Sequence, residues 1–318
     1  MDKKISSNSN NNVDNKKVKT NMFNQKIFII LLLVMCITIY MAKAMLNQNE
    51  KNNLKTYQAV IQETQKSVMQ YEEEYEAQKQ IRIEAELREK IANRNKIDFT
   101  PEQVNIINNI YNSSNTKIAY LTFDDGPSGN VTPLILDVLK EQNIKATFFV
   151  LGINVKWHPN TLNRIRNEGH YIANHGYTHV YDDIYKSYEN LINEYNMCEQ
   201  AIRDALGEPE YKTRIFRFPG GSTGGQYARF KNEAKLLLQQ QNIAFLDWNC
   251  LTCDAEGVPT KESIIENLKS TSQGKNNLVI LMHDASSKIL TYETLTEVIN
   301  YLREQGYEFG DMYELIGE

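Results

Sequence analysis

The chain has 318 residues, 41% of them hydrophobic, which is enough for one sizeable domain with additional segments but not for two large domains. A formal net charge of −5, with no basic stripe beyond the N-terminal tail, argues against nucleic acid as a partner.

Residues 1–26 are rich in Asn, Ser and Lys, carry six lysines against two aspartates, and hold almost nothing to bury. They read as a disordered basic tail. From Ile27 to Ala42 no residue is charged, and Ala44, Met45 and Leu46 extend this stretch toward the roughly 20 residues that cross a bilayer. Ala42-Lys43-Ala44 matches a cleavage site poorly, which favours a transmembrane anchor at 27–46 over a cleaved signal peptide. The lysine excess before the segment predicts a single-pass protein of the cell membrane, with its N-terminus cytoplasmic and residues 47 onward outside.

Residues 50–96 contain neither Gly nor Pro and carry Glu84 and Arg88, then Glu86 and Lys90, at the supportive four-residue spacing. The pattern predicts one long helix, a stalk over 47–96. Leu54, Tyr57, Ile61, Thr64, Val68, Tyr71 and Tyr75 alternate by three and four until Gln78 and Arg82 break the register. A homodimer through a coiled coil is therefore the second reading of the stalk. Residues 97–114 read as a linker.

From Lys117 the texture changes. Strands are expected at Lys117–Phe123, Ala146–Val150, Tyr171–Asn174, Ile215–Phe218, Ile243–Trp248 and Leu278–Met282, with a weaker one near Phe309. Helical periods fall between them at Thr132–Glu141, Ser187–Leu206, Gln226–Gln241, Lys261–Thr271 and Thr291–Gln305. Strands alternating with helices imply right-handed crossovers and a parallel α/β sheet over 115–318. Periodicity does not separate a closed barrel from an open doubly wound sheet, but in both the ligands gather at the carboxyl ends of the strands.

Those ends are polar. Thr122-Phe123-Asp124-Asp125-Gly126-Pro127 puts two adjacent carboxylates before a turn, and alone it is a turn sequence and nothing more. His175-Gly176-Tyr177-Thr178-His179 follows the third strand; two imidazoles four residues apart can face one metal, with Asp125 as a hard third ligand. Arg217 ends the fourth strand ahead of Pro219-Gly220-Gly221. Asp247 and Asp254 bracket the end of the fifth around Trp248, and His283-Asp284 follows the apolar sixth. Each has a bland structural reading by itself. Five strand ends presenting ionisable residues to one rim make an active site the better reading.

The ordered set TFDDGP, ATFFVLG, HPNTLNRIRNEGHYIANHGYTH, FRFPGG, DWNCLTCDA and LMHD closely resembles the polysaccharide deacetylases of the NodB-homology type, carbohydrate esterase family 4, over about residues 115–315. The resemblance implies a distorted (β/α) barrel of about seven strands. It implies that Asp125, His175 and His179 bind a divalent metal, usually Zn2+, and that Asp124 is the general base with Arg217 holding it. His283 would be the general acid, oriented and charged by Asp254, while Pro219, Gly220, Trp248 and Leu281 would belong to the substrate groove. Two positions depart from many relatives: Gly220 stands where an aromatic residue often follows the motif proline, and Ala255 where a Trp often follows the carboxylate. Both losses would open the groove.

The expected chemistry is metal-dependent removal of N-acetyl groups from N-acetylglucosamine in a cell-envelope polysaccharide, peptidoglycan first, with other N-acetylglucosamine polymers open. An O-deacetylase acting on acetylated xylan uses the same site, and an inactive wall-binding protein is the non-enzyme alternative. Non-haem iron oxygenases share the two-histidine, one-carboxylate set, but the added base, arginine and acid serve hydrolysis. Of the four cysteines, Cys36 lies in the apolar segment and Cys198 stands alone. Cys250-x-x-Cys253 lacks the second pair of a zinc ribbon, so no functional cysteine is expected.

Overall fold

The structure is a computed structural model and describes residues 31–43, 51–112, 116–257 and 259–318. The basic tail 1–26, positions 27–30 and 44–46 of the expected anchor, the first residues of the stalk and positions 113–114 lie outside the described residues. The chain divides into two compact units, Met1–Glu86 and Leu87–Glu318.

In the first unit residues 31–43 are helical (α1), and α2, Lys51–Asn93, begins. No helix among the described residues is long and apolar enough to cross a membrane, so the transmembrane helix expected at 27–46 is without support there. α2 runs unbroken, as a segment free of Gly and Pro can. Exposed ion pairs on it include Lys79–Glu76 at 2.9 Å and Arg82–Glu86 at 3.0 Å. Glu86 faces back to Arg82 rather than on to Lys90.

The second unit begins inside α2. Ile91, Arg94 and Asn95 are buried. Asn95 donates from Nδ2 to Lys212 O at 2.9 Å, accepts from Lys212 N at 2.8 Å, and takes the Tyr313 hydroxyl on Oδ1 at 2.6 Å. The described part of 97–114 is not a linker. Thr100 and Gln103 form a capping box with Pro101 in the first turn of α3, Pro101–Asn108, and α3 buries Val104 and Ile107. That cap was legible in Thr100-Pro101-Glu102-Gln103. What the apolar residues behind it pack against was not.

Among the described residues eight strands form one sheet: β1 Ile118–Asp124, β2 Thr147–Val150, β3 Tyr171–Asn174, β4 Ile215–Phe216, β5 Ala244–Phe245, β6 Cys250–Leu251, β7 Asn277–His283 and β8 Glu308–Phe309. The order is β5-β4-β3-β2-β1-β7-β6, with all pairings parallel and β8 added to the start of β1. β6 was not expected. β4 and β5 are shorter than expected, although Arg217 N still reaches Asn174 O at 2.9 Å and Leu246 N reaches Phe216 O at 3.0 Å. The end strands β5 and β6 share no ladder among the described residues, which leaves the barrel open on that side.

The crossovers carry α4 Thr132–Glu141, α5 Gly152–Trp157, α6 Pro159–Asn167, α7 Tyr181–Ile184, α8 Tyr188–Leu206, α9 Ala228–Gln240, α10 Lys261–Ser272 and α11 Ile289–Glu304, and α12 Met312–Leu315 follows β8. α8 shows how local chemistry sets an end: the Ser187 side chain accepts from Asn190 N, and Gly207 closes the helix in the left-handed region at φ +66°.

Alternation along each strand feeds two cores. Leu121, Phe123, Phe148, Val150, Ile280 and Met282 face outward and pack with the crossover helices. Tyr120, Phe149, Tyr171, Ala173, Ile215 and Val279 face inward, into a smaller core completed by Phe99, Ile107, Met312 and Tyr313. Burial on both faces explains why the strands read as nearly continuous apolar runs. By the same alternation Thr122 and Asp124 project on the side of Tyr120, and Leu281 and His283 on the side of Val279. The inner face therefore turns from apolar to polar along the strands.

Ile107→Ala is expected to lower the unfolding free energy by about 2–5 kcal/mol, because a fully buried side chain leaves a cavity. Denaturant titration reads this directly; an unchanged midpoint would restore 97–114 as a linker.

Candidate active site

The polar end of the inner face is organised by Arg217, which is 0% exposed one residue beyond β4. Its Nη1 donates to Asp124 Oδ1 at 2.7 Å and to Thr122 Oγ1 at 2.8 Å, its Nε to Leu246 O at 2.8 Å, and its Nη2 to Asp247 O at 3.1 Å. The guanidinium lies 3.8 Å from the Phe149 ring centroid. Asp124, itself buried, feels opposed forces. Burial pushes its carboxyl up, and the Arg217 charge is the largest influence pulling it back.

Next to Asp124 are three further donors. The ligating atoms of Asp125, His175 and His179 all lie within 4.8 Å of one another. Asp125 Oδ1 is 3.6 Å from His175 Nε2 and 3.5 Å from His179 Nε2. That same Oδ1 is buried and has no hydrogen-bond partner. His175 Nδ1 stands 2.8 Å from Arg217 O, and a carbonyl can only accept, so the proton sits on Nδ1 and the Nε2 lone pair faces Asp125. Burial pushes the His175 pKa down to about 3, which keeps the ring neutral. Ligands at ~2.0–2.2 Å in tetrahedral geometry stand roughly 3.4 Å apart, close to these separations. An orphaned carboxylate oxygen, a fixed tautomer and this spacing together fit a divalent metal.

The backbone beneath the donors is constrained. Asp125 and His179 adopt φ of +71° and +63°, unusual for residues with a side chain. The loop 175–179 is pinned from α8: Glu194 Oε2 accepts from Tyr177 N at 2.7 Å and Thr178 N at 2.8 Å, and Oε1 from Thr178 Oγ1 at 2.9 Å. Asn174 Oδ1 takes Gly176 N at 2.9 Å. Sequence reasoning missed Glu194; a charge within the apolar stripe of Leu191, Tyr195 and Cys198 was the available signal.

His283 ends β7 and is paired with Asp254. His283 Nδ1 lies 2.9 Å from Asp254 Oδ1, His283 N donates to Oδ2 at 2.8 Å, and Thr291 Oγ1 donates to Oδ2 at 2.7 Å. Burial by itself would lower the imidazole pKa, but the hydrogen bond and charge of Asp254, with Asp124 and Asp125, raise it to about 9. Burial also opposes ionisation of Asp254, and the bonds from His283 and Thr291 outweigh it and hold the carboxyl below its usual range.

Pro219-Gly220-Gly221 forms a tight turn. Gly221 N donates to Phe218 O at 2.7 Å, and Gly220 and Gly221 have φ of +73° and +77°. Pro219 is buried with its carbonyl bonded by the Tyr185 hydroxyl at 2.6 Å, and Gly220 is exposed. Asp247 braces the turn, taking Ser222 N at 2.9 Å and Ser222 Oγ at 2.5 Å. Trp248 is half-buried against Gly221, 3.0 Å from where a Cβ there would stand. Leu281 is half-buried on β7, two residues before His283. Asp284, foreseen only as the partner of His283 in sequence, is buried instead behind the Asp124–Pro127 turn. There it accepts from Thr132 Oγ1 at 2.7 Å, and burial lifts its pKa to about 7. All four cysteines are free. Cys250 is buried with its thiol 3.3 Å from Thr271 Oγ1.

Glu194→Gln replaces one of the two accepting oxygens by an amide that cannot accept, and metal affinity is expected to fall about 10- to 100-fold, as outer support of ligating residues commonly costs. Titration of metal-free protein with zinc reads it; unchanged affinity would show that the loop keeps its shape without Glu194.

Comparisons with known proteins identify the family. A family model described as polysaccharide deacetylase matches residues 111–238. A peptidoglycan-N-acetylglucosamine deacetylase of Bacillus cereus is 33% identical over 209 residues, which are 64% of this chain and 72% of that protein. The peptidoglycan-N-acetylglucosamine deacetylase of Listeria monocytogenes is 35% identical over 205 residues, 64% of this chain but only 40% of that longer protein. The solved structure of a Streptococcus mutans CE4 esterase superposes with a TM-score of 0.58 at 34% identity, covering 67% of this chain and 91% of that one. The chain belongs to the polysaccharide deacetylase family and is an enzyme of that family.

Proposed function

We propose that the enzyme is a metal-dependent N-deacetylase that releases acetate from N-acetylglucosamine residues of a cell-envelope polysaccharide, with peptidoglycan the first candidate. The observation that carries the reading is the unpartnered Asp125 Oδ1 facing two imidazole nitrogens, with a buried carboxylate on one side and a carboxylate-charged imidazole nearby. The names of the Bacillus and Listeria relatives support the choice of peptidoglycan. The apolar run at 27–46 supports placing the domain outside the membrane, where such a polymer lies.

An acetamide resists hydrolysis because water is a weak nucleophile and the amine leaves badly unless protonated. Asp125, His175 and His179 would hold the metal, zinc by its nitrogen and oxygen donor set. Bound there, it would lower the pKa of water toward ~7 and polarise the acetyl carbonyl. Asp124 then accepts a proton from the attacking water. Its Oδ1 is tied to Arg217, so Oδ2, 3.7 Å from His175 Nε2, is the oxygen left for that proton. The developing oxyanion would face the Pro219–Gly221 turn, where Gly221 N already donates to Phe218 O and the amide of exposed Gly220 is the candidate donor. His283, protonated through Asp254, gives its proton to the departing nitrogen.

Acetate release from peptidoglycan and from N-acetylglucosamine oligomers is expected to stop with chelator and return with zinc. Asp124→Asn should keep the metal yet lose at least ~10²-fold in turnover, the usual worth of a positioned base, whereas His179→Ala should lose both. No release from any N-acetyl substrate, with acetyl esters cleaved, would make the enzyme an O-deacetylase.

The acid form of His283 exists below its pKa of about 9, so turnover should fall as pH rises through that value. Asp254→Asn removes the carboxylate that raises this pKa, and the alkaline limb of the kcat profile should move roughly 1–3 units lower. A limb that stays in place would remove Asp254 from the control of His283.

A further inference from the structure

Tyr181 opens the four-residue helix α7, two residues after His179. Its ring centroid is 5.3 Å from that of His179, and the residue is 39% exposed at the rim of the site. Its phenol end sits on the glycine turn. A Cβ built on Gly220 would stand 2.7 Å from Tyr181 Oη and 3.1 Å from Cζ, so a side chain at 220 and the observed Tyr181 exclude each other. On the next residue the pattern repeats, with Trp248 Cη2 3.0 Å from a Cβ on Gly221. Two aromatic side chains from different strand ends thus occupy the space that two successive glycines leave. Tyr181 is also braced from behind: its ring meets Tyr185 at 5.9 Å, Tyr185 meets Tyr227 at 4.9 Å, and the Tyr227 hydroxyl donates to Asp182 Oδ1.

A pyranose ring presents a face of C–H groups and an edge of hydroxyls. A partly exposed, rigid aromatic plane suits the first, because the ring covers the apolar face of the sugar. We infer that Tyr181 is a specificity-determining residue, an aromatic wall that packs against a sugar ring of the polysaccharide and, with Trp248, flanks the Gly220–Gly221 turn. The inference rests on the proposed action on an N-acetylglucosamine polymer, and it assigns the glycines their reason: they make room for an aromatic delivered from α7.

The test separates binding from turnover. Binding of N-acetylglucosamine oligomers is measured by calorimetry in the Asp124→Asn background, and acetate release is measured with Asp124 intact, for Tyr181, Tyr181→Leu and Tyr181→Phe. Loss of the aromatic plane should weaken binding and raise KM together by about tenfold while kcat moves far less, and Tyr181→Phe should recover most of both. Zinc titration of each variant checks that His179 still ligates. Unchanged binding and KM in Tyr181→Leu would overturn the wall while leaving the deacetylase reading intact. A kcat loss of similar size with unchanged KM would also overturn it, pointing to a disturbed His179 instead. Oligomers that bind and depend on Tyr181 but release no acetate would support the wall and sink the N-deacetylase reading.

Discussion

The rest of the site depends on one buried charge. A guanidinium with no exposure is costly unless nearly every donor is matched, and Arg217 is matched by Asp124, Thr122 and the carbonyls of Leu246 and Asp247. These partners come from the ends of β1 and β5, while Arg217 itself extends β4. Its own carbonyl fixes the His175 tautomer beyond β3. One residue thereby sets the relative positions of the carboxylate on one strand, the imidazole on another and the turn that follows it. Phe149 beneath the guanidinium closes the apolar floor. Lysine could not replace it, since a point ammonium has no planar fork to span three strands.

The barrel makes this charge tolerable by sorting its inner face along the strand axis. Tyr120, Phe149, Tyr171, Ile215 and Val279 fill one end together with α3 and α12, so water is excluded below the site. Thr122, Asp124, Arg217 and His283 occupy the other end of the same face. The open edge between β5 and β6 coincides with the stretch that supplies Trp248 and leads to Asp254. An opening in the ladder frees backbone that a closed barrel would tie up in pairing.

The carboxylates around the site differ by what their oxygens already hold. Glu194 and Asp247 are committed to backbone amides and hydroxyls, so they shape loops. Asp254 is committed to His283 and Thr291 and supplies charge at one remove. Asp125 keeps a buried oxygen without a partner, which is what distinguishes a candidate ligand from a brace. Asp284 also has an unpartnered oxygen, yet burial lifts its pKa to about 7 and weakens its claim on a cation. Residue type alone would have treated all five alike.

The sequence by itself determined the alternation of strands and helices, the polar strand ends and the family, because those depend on periodicity and on local order along the chain. Polar strand ends marked Asp124, Asp125, His175, His179, Arg217, Asp254 and His283 as candidates, and the roles expected of them came from the resemblance to the family. It misplaced the start of the domain, since Phe99 and Ile107 gain meaning only from the inner core they fill. The barrel's open edge, the bracing by Glu194 and Asp247, and the seat of Tyr181 over Gly220 were decided by tertiary structure alone. Each depends on how residues far apart in the chain are placed by the curl of the sheet, and no pattern of spacing encodes that curl.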